Sequence, residues 1–548
     1  MADDTEAATT TPLLTNHKAR LKRPASKAPT IDDAIETYLG DTGAMQLFKA
    51  VLLAFAWAFD AQQVFISVFT DAEPRWHCTD GGAACSPAAA SPCAFPAGSW
   101  AWDRPAATSM VSEYGLNCGG GAALVSLPAS SFFAGCLAGG FVLATLADSL
   151  LGRKKMLLAS LASMSAAGAL TPLAPNVWAY AALRFASGFG RSIVGTCTLV
   201  LSTELVGKRW RDTVSVAGFF FFTVGFLSLP ALAYALREAS WRSLYFWTSA
   251  PALCYAVLLY FLVQESPRWL LVRGRKQDAI ETLRQIAALN GGAGVTSSFS
   301  LLHACAAAHE DDDGAGGDTG AGGGVFSTIR TMWERPWAIR RLAAIMTASF
   351  GIGMVYYGMP LNLGNLGGSD DNLYLSVTYN ALAELPSSIL VWLFIGRINR
   401  RISLVTVTVA AGALSLACVA IPEGSPARMA AEILSFLATC TAFNVSLIYS
   451  IELFPTSVRN SAVGIVRQAL VLGGVVAPVL VALGRERSFW SFGVFGLAIG
   501  CLGLFVVCLP ETRGRAMSDT MDEEEDNVSA ESCAAAVVVD ANCNSDLV

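Results

Sequence analysis

Charge is scarce in this sequence. Of its 548 residues only 15% are Asp, Glu, Lys or Arg, where a soluble chain carries roughly 25%. That shortage excludes an ordinary soluble protein of this length. Nor is the charge basic: 37 Lys and Arg stand against 43 Asp and Glu, a net charge of −6, which is not the footprint of a nucleic-acid partner. Only four histidines are present, none at metal-ligand spacing, with His303 and His309 in a glycine-rich stretch. There is no Gly-rich Walker loop, so nothing points to ATP drive. No enzyme constellation, cofactor or metal site is expected. The first forty residues lack the short apolar core and small-residue cleavage site of a secretory leader, so no cleavable signal is expected.

Apolar sequence is abundant instead, at 53% of residues. Stretches such as Met45–Phe59, Met156–Leu173 and Phe492–Leu509 read as parts of membrane spans, since crossing the hydrocarbon core takes about 20 mostly apolar residues. About twelve such windows occur. The fold expected is all-α: a polytopic membrane protein of about twelve transmembrane helices in two six-helix halves. Lys18, Arg20, Lys22, Arg23 and Lys27 cluster near the start, which places the N-terminus in the cytoplasm by the positive-inside rule. An even number of spans brings the C-terminus to the same side.

Taken in order, residues 1–42 read as a disordered cytoplasmic tail, and 43–264 as the N-terminal half with a long outer loop at 71–121. Residues 265–341 form a cytoplasmic linker, 342–509 the C-terminal half and 510–548 a second tail. Within the linker, Ile280, Leu283, Ile286 and Ala287 share one helical face. The Gly- and Ala-rich stretch Gly291–Gly324 reads as flexible. The acidic runs Glu310–Asp313 and Asp522–Asp526 are expected to be solvated and disordered. Cys78, Cys85, Cys93 and Cys118 lie together in the outer loop. Four cysteines facing an oxidising compartment point to disulfides, with three pairings open.

The halves echo each other. Glu204-Leu205 precedes Arg211 by the same seven residues that separate Glu452-Leu453 from Arg459, and the two sets stand 248 residues apart. Parallel repeats of this kind place a substrate site at their interface. The turn Asp148-Ser149-Leu150-Leu151-Gly152-Arg153-Lys154 resembles the signature turn of the major facilitator superfamily. Glu265-Ser266-Pro267-Arg268-Trp269-Leu270 and Glu452-Leu453-Phe454-Pro455-Thr456-Ser457-Val458-Arg459 resemble the organic cation/carnitine transporter branch. Phe69-Thr70-Asp71-Ala72-Glu73-Pro74 before Trp76-His77-Cys78 is similar to its plant subgroup. The resemblance covers about Met45 to Arg515.

The resemblance implies a cytoplasmic gate of Asp148, Gly152, Arg153, Glu204, Arg211, Glu452 and Arg459, in which acids at helix ends face basic residues and lock one end of the bundle. The second-half counterpart of Asp148 is Gly396, so the second lock is expected to be weaker or built differently. Ionisable groups inside spans usually face the bundle interior. Asp60, Arg184, Arg191, Glu384 and Arg467 meet that description. Asp60 and Glu384 are the natural partners of a cation or a proton, and Glu384-Leu385-Pro386 resembles the family's eighth-helix acid. A fixed pair between Asp60 and an arginine such as Arg184 is the plainer alternative. Gln63 joins the candidates beside Asp60, and Phe65, Tyr356, Tyr357 and Tyr379 offer ring faces to an ammonium group.

One departure bears on charge selectivity. In the family it resembles, the eleventh-helix position that tends to carry an acid in animal organic-cation members and a base in carnitine and organic-anion members corresponds to Val471 here, with Arg467 four residues earlier. A zwitterion could set its carboxylate on Arg467 and its ammonium on Asp60 or Glu384. The reading is a transporter of organic cations or carnitine-like zwitterions working by alternating access, with a proton or sodium as candidate coupling ion. It would sit in the lipid bilayer of the plasma or vacuolar membrane, both termini cytoplasmic. The alternatives are a proton-coupled carrier of sugars or other neutral solutes, and a transporter-like receptor.

Overall fold

The computed structural model describes residues 43–79, 85, 92–96, 98–119, 121–146, 151–289, 330–366, 370–394, 397–485, 487–513, 518 and 520–526. Ten of its helical segments are long and apolar enough to cross a bilayer. In lipid the backbone must satisfy its own polar groups, and the helix does so within one segment. The first half supplies Ala44–Thr70, Gly121–Leu143, Arg153–Leu173, Arg209–Ala235 and Trp241–Leu262. The second supplies Pro336–Leu366, Arg400–Ala420, Pro426–Leu453, Arg459–Gly484 and Ser488–Cys508. The missing fourth and eighth places are taken by two helices with more polar interiors: Val177–Arg191 continued by Val194–Glu204, and Asp370–Phe394. These two hold Arg184, Arg191 and Glu384. Twelve spans in two sets of six agree with the expected fold.

Packing within each half relies on small residues that let backbones touch. A Cβ on Gly188 of the fourth span would lie 1.9 Å from the Phe132 carbonyl of the second, and one on Gly353 of the seventh 2.0 Å from the Leu470 carbonyl of the eleventh. Between the halves, the second span packs on the eleventh and the fifth on the eighth. One buried apolar cluster runs through both halves, joining Phe65, Phe132 and Phe133 to Tyr356, Tyr357 and Phe436.

The bundle has two unlike ends. At the loop end, strands β1 (Trp76–Cys78) and β2 (Trp100–Trp102) pair antiparallel, with Cys78 opposite Trp100. Of the three pairings open in the sequence, the structure forms Cys78–Cys85 and Cys93–Cys118. At the opposite, linker end, the Ser266 hydroxyl accepts from Trp269 N at 3.1 Å and starts the short helix Pro267–Val272. The helix Lys276–Leu289 then buries Ala279, Leu283 and Ile286, while Ile280 is half-buried. Ile286 packs with Met156, Leu157 and Leu205 of the bundle. The seventh helix begins at Pro336, before the expected Leu342.

The acidic run 522–526 is a correction to the sequence reading. It is helical rather than disordered. Arg341, 9% exposed, pairs with Glu524 at 2.6 Å and donates to the Leu453 carbonyl at 3.2 Å. Arg335 pairs with Asp522 and Glu525, and Thr456 N donates to the Ser518 carbonyl at 3.1 Å. The cause is local: a buried guanidinium at the start of the seventh helix requires an acid, and the tail provides it. Residues 1–42, Asp148, the acidic run 310–313, Gly396 and residues 527–548 lie outside the described residues.

Candidate functional site

The charged residues of the first half form one layer. Asp60, on the helix Ala56–Phe65, is 2% exposed and accepts two bonds from Arg191, Nε to Oδ1 and Nη2 to Oδ2, both 2.8 Å. This paired, bidentate geometry is the strongest a carboxylate makes with a side chain. The fixed partner is therefore Arg191 and not Arg184. Arg184 sits two turns earlier, 1% exposed, and gives both terminal nitrogens to the Gln63 carbonyl at 3.2 Å and Nη2 to Ser67 Oγ at 3.2 Å. Its guanidinium lies 4.1 Å from the Phe132 ring centroid. The Gln63 side chain turns to the sixth span and donates to Ser249 Oγ at 3.2 Å. Asp60 and Arg191 thus close on each other, while Arg184 and Gln63 form a separate contact in which Arg184 Nε and Gln63 Oε1 find no hydrogen-bond partner among the described residues.

The second half offers a differently dressed acid. Glu384 accepts from Tyr356 OH at 2.6 Å and from Thr223 Oγ1 at 3.2 Å. Thr223 belongs to the fifth span, so this contact crosses between the halves. Among the described residues Glu384 forms no ion pair. Tyr356 stacks on Phe443, centroids 4.4 Å apart, with Phe436 at 6.0 Å. Tyr357 meets Phe133 of the other half at 4.7 Å. Arg467 donates to Thr196 Oγ1 at 3.0 Å, a second contact between halves, and stands near Tyr357, Arg191 and Asp60. Phe65 is buried against Phe226, whereas Tyr379 is 38% exposed and does not join the layer.

The linker end repeats one device in both halves. Glu265 Oε1 accepts from Lys154 N at 2.9 Å, at the start of the third span. Glu511 accepts from Arg400 N at 2.8 Å and Arg401 N at 3.2 Å, at the start of the ninth. Each carboxylate satisfies donors that a helix N-terminus leaves open, where the helix dipole also favours negative charge. Gly152 has φ +83°, and a Cβ there would come within 2.5 Å of Glu265 Oε2; the position suits glycine on both counts.

The Glu-to-Arg spacing of seven does not mark a bonded pair in the second half. Glu452 pairs with Arg400 at 3.1 Å and accepts from Thr512 Oγ1 at 2.5 Å, while Arg459 Nε donates to the Phe454 carbonyl at 3.2 Å. In the first half, Arg153 and Arg211 have partners of their own, and Glu204 Oε2 is buried without a hydrogen bond among the described residues.

Several residues escaped the sequence reading. Arg191 was noted, but not as the Asp60 partner. Glu265 stands in the motif Glu265–Leu270 quoted above, but its role as a helix cap does not show there; it and Glu511 stand two residues past Val263 and Leu509, each at the end of a sixth helix, and precede a hydroxyl residue. Glu432, fully buried on the tenth span, accepts from Asn380 Nδ2 at 3.0 Å. A single acid near the start of a span gave no stronger signal.

The profile of a family described as sugar (and other) transporter matches residues 101–522. The chain is 49% identical over 526 residues to organic cation/carnitine transporter 2 of Arabidopsis thaliana, covering 94% of this chain and 96% of the relative. It is 50% identical over 501 residues to organic cation/carnitine transporter 3 of the same plant, covering 90% and 93%. Solute carrier family 22 member 3 of Rattus norvegicus is 31% identical over 457 residues, covering 82% and 78%. Among solved structures, the inward-open xylose transporter XylE from E. coli aligns with a TM-score of 0.57 at 17% identity, over 86% of this chain and 97% of that one. At that identity the likeness is one of fold.

Proposed function

The chain belongs to the organic cation/carnitine branch of the sugar (and other) transporter family, and from that premise we propose that it carries a small organic cation or a carnitine-like zwitterion across a membrane by alternating access. It is a multi-pass membrane carrier and not an enzyme.

The observation that carries the substrate reading is the contrast between two buried acids. Asp60 is neutralised by Arg191, whereas among the described residues the Glu384 carboxylate is held by two hydroxyls and no cation. A buried carboxylate without a cation is costly, and an ammonium group from the substrate relieves that cost. The rings of Tyr356, Phe436 and Phe443 beside it suit a quaternary nitrogen. For a zwitterion, Arg467 is the basic group for the carboxylate. Both Glu384 and Arg467 hold threonines of the opposite half. A ligand that competes for those contacts therefore binds the two arrangements of the halves unequally, and unequal binding is what shifts such an equilibrium. Glu384 is also the group a proton or sodium ion would neutralise if transport is coupled.

The linker end is assigned to the cytoplasm. Arg153, Lys154, Lys155, Arg209 and Arg211 cluster there with Arg397, Arg400 and Arg401, and the disulfides lie at the other end. Both termini are then cytoplasmic, in the plasma or vacuolar membrane. Glu265, Glu511 and the Glu452–Arg400 pair, together with Asp148, act as the lock that must loosen when the carrier opens inward. Uptake of labelled carnitine, choline and hexose into proteoliposomes, with and without a proton gradient, tests the reading; uptake of hexose alone would overturn it.

A further inference from the structure

A cavity of about 510 Å³ opens at the loop end between the two halves. That volume is in the range of small-molecule sites. Its walls include Asp71 and Ser67 from the end of the first span, Ser126 from the second, and Ser376, Pro478 and Arg485 from the other half. Asp71 belongs to the stretch Phe69–Pro74 that the sequence marks out and the central layer leaves unused.

Asp71 is 8% exposed, and its two oxygens are treated differently. Oδ1 accepts from Tyr180 OH at 2.8 Å and from Thr70 Oγ1 at 2.9 Å. Oδ2 is buried and accepts no hydrogen bond among the described residues. Tyr180 is itself fixed by Tyr245, hydroxyl to hydroxyl at 2.7 Å, so the carboxyl is held in place with one oxygen spare. Arg184 is near but spends its terminal nitrogens on Gln63 and Ser67. Across the cavity mouth, Arg485 of the second half donates Nη2 to the Asp71 carbonyl at 3.1 Å and pairs through Nη1 with Glu73 at 3.2 Å. A spare oxygen on a buried carboxyl lacks the partner such a group requires. In a cavity of ligand size, the chemistry that supplies it is a cation.

We propose that Asp71 is an entry subsite for the ammonium group of the substrate, occupied before Glu384. This rests on the organic-cation reading above. An arriving cation sits beside the Asp71 oxygen and competes with Arg485 for Glu73, so that occupancy of the subsite and release of the bridge between the halves are one event. Burial pushes the Asp71 carboxyl up from its ordinary range, and the hydrogen bond from Tyr180, the Arg184 charge and the hydrogen bond from Thr70 pull it back. A bound cation adds to that pull and favours the ionised form.

The test uses the full chain in proteoliposomes of one orientation, with labelled choline offered first at the loop end and then at the linker end. Asp71→Asn should raise KM about tenfold for choline offered at the loop end with kcat there unchanged, and for choline offered at the linker end should leave KM unchanged and lower kcat about tenfold, as reversibility requires. Glu384→Gln should lose transport in both directions. If the wild-type chain moves no organic ammonium, the transport reading fails. If it does, and Asp71→Asn alters neither KM or both equally, the subsite fails. A second measurement keeps Asp71 intact, in case its replacement does not fold. In Ser126→Cys, saturating choline should slow modification of the new thiol by a cationic thiosulfonate added at the loop end, and should still do so when Glu384→Gln is added. Absence of protection in both would overturn the proposal.

Discussion

Glu265 and Glu511 do the same work 246 residues apart. Glu265 accepts from the Lys154 amide at 2.9 Å, and Glu511 from the Arg400 amide at 2.8 Å. Lys154 and Arg400 open the third and ninth spans and are themselves 246 residues apart. The internal repeat is thus preserved in hydrogen bonds as well as in sequence. Each acid ties the end of a sixth helix to the start of a third, so moving either helix alone breaks a charge-assisted bond.

Removing either cap should slow the carrier more than it unfolds it. Glu265→Ala and Glu511→Ala are each expected to lower turnover about tenfold, equivalent to about 1.4 kcal/mol, with KM little changed. Gly152→Ala should resemble Glu265→Ala, because the added Cβ meets the same carboxylate. Initial rates in proteoliposomes decide this; full turnover in all three variants would remove these residues from the lock.

Asp60 and Arg191 should behave as one unit. Asp60→Asn strands a buried guanidinium, and breaking such a pair costs about 3–5 kcal/mol. A large loss of thermal stability is expected in Asp60→Asn and in Arg191→Gln. Much of it should return in the double variant, where neither charge is left alone. Melting of the three detergent-solubilised variants measures the coupling. A stable Asp60→Asn that loses only gradient-driven accumulation would instead make Asp60 a proton carrier.

That pair also shows what the sequence could and could not tell. The span count and the two halves were readable because the bilayer fixes the length of each helix, and because Glu204 and Glu452 recur with Arg211 and Arg459 at one offset. A buried acid at Asp60 was readable for the same reason. Its partner was not. Arg184 and Arg191 lie two turns apart on one helical face, and which one reaches Asp60 depends on where two helices cross. Likewise the recurring Glu-to-Arg spacing suggested a bond, yet Pro455 turns the chain between Glu452 and Arg459, and Arg400 arrives from another span. The acidic tail was misread because composition does not reveal that Arg341 lies buried and needs Glu524.

The docked tail gives its own prediction. Glu524→Ala leaves Arg341, among the described residues, with the Leu453 carbonyl and the Trp337 ring, a loss of about 1–3 kcal/mol for a buried group deprived of its partner. Removing residues 518–548 should do at least as much. An unchanged melting temperature in both variants would mean that the contact contributes nothing.

The loop-end disulfides are checked directly. Digestion without reduction should release one linked pair containing Cys78 and Cys85 and another containing Cys93 and Cys118. Replacing Cys93 and Cys118 together with serine should destabilise the loop by about 2–4 kcal/mol. Peptides joining Cys78 to Cys93 or Cys118 would contradict the pairing.

The central claim is that Glu384 is the site of the substrate cation. The measurement that tests it most directly is uptake of labelled choline and carnitine into proteoliposomes by the wild-type chain and by Glu384→Gln, with folding checked by melting. The glutamine keeps the shape, its oxygen can accept from one of the two hydroxyls of Tyr356 and Thr223 while its NH2 donates to the other, but it carries no charge. Loss of uptake by at least about a hundredfold, or about 2.7 kcal/mol of transition-state binding, is the expected result, with melting unchanged or slightly raised. Uptake of either cation at the wild-type rate by folded Glu384→Gln would contradict it.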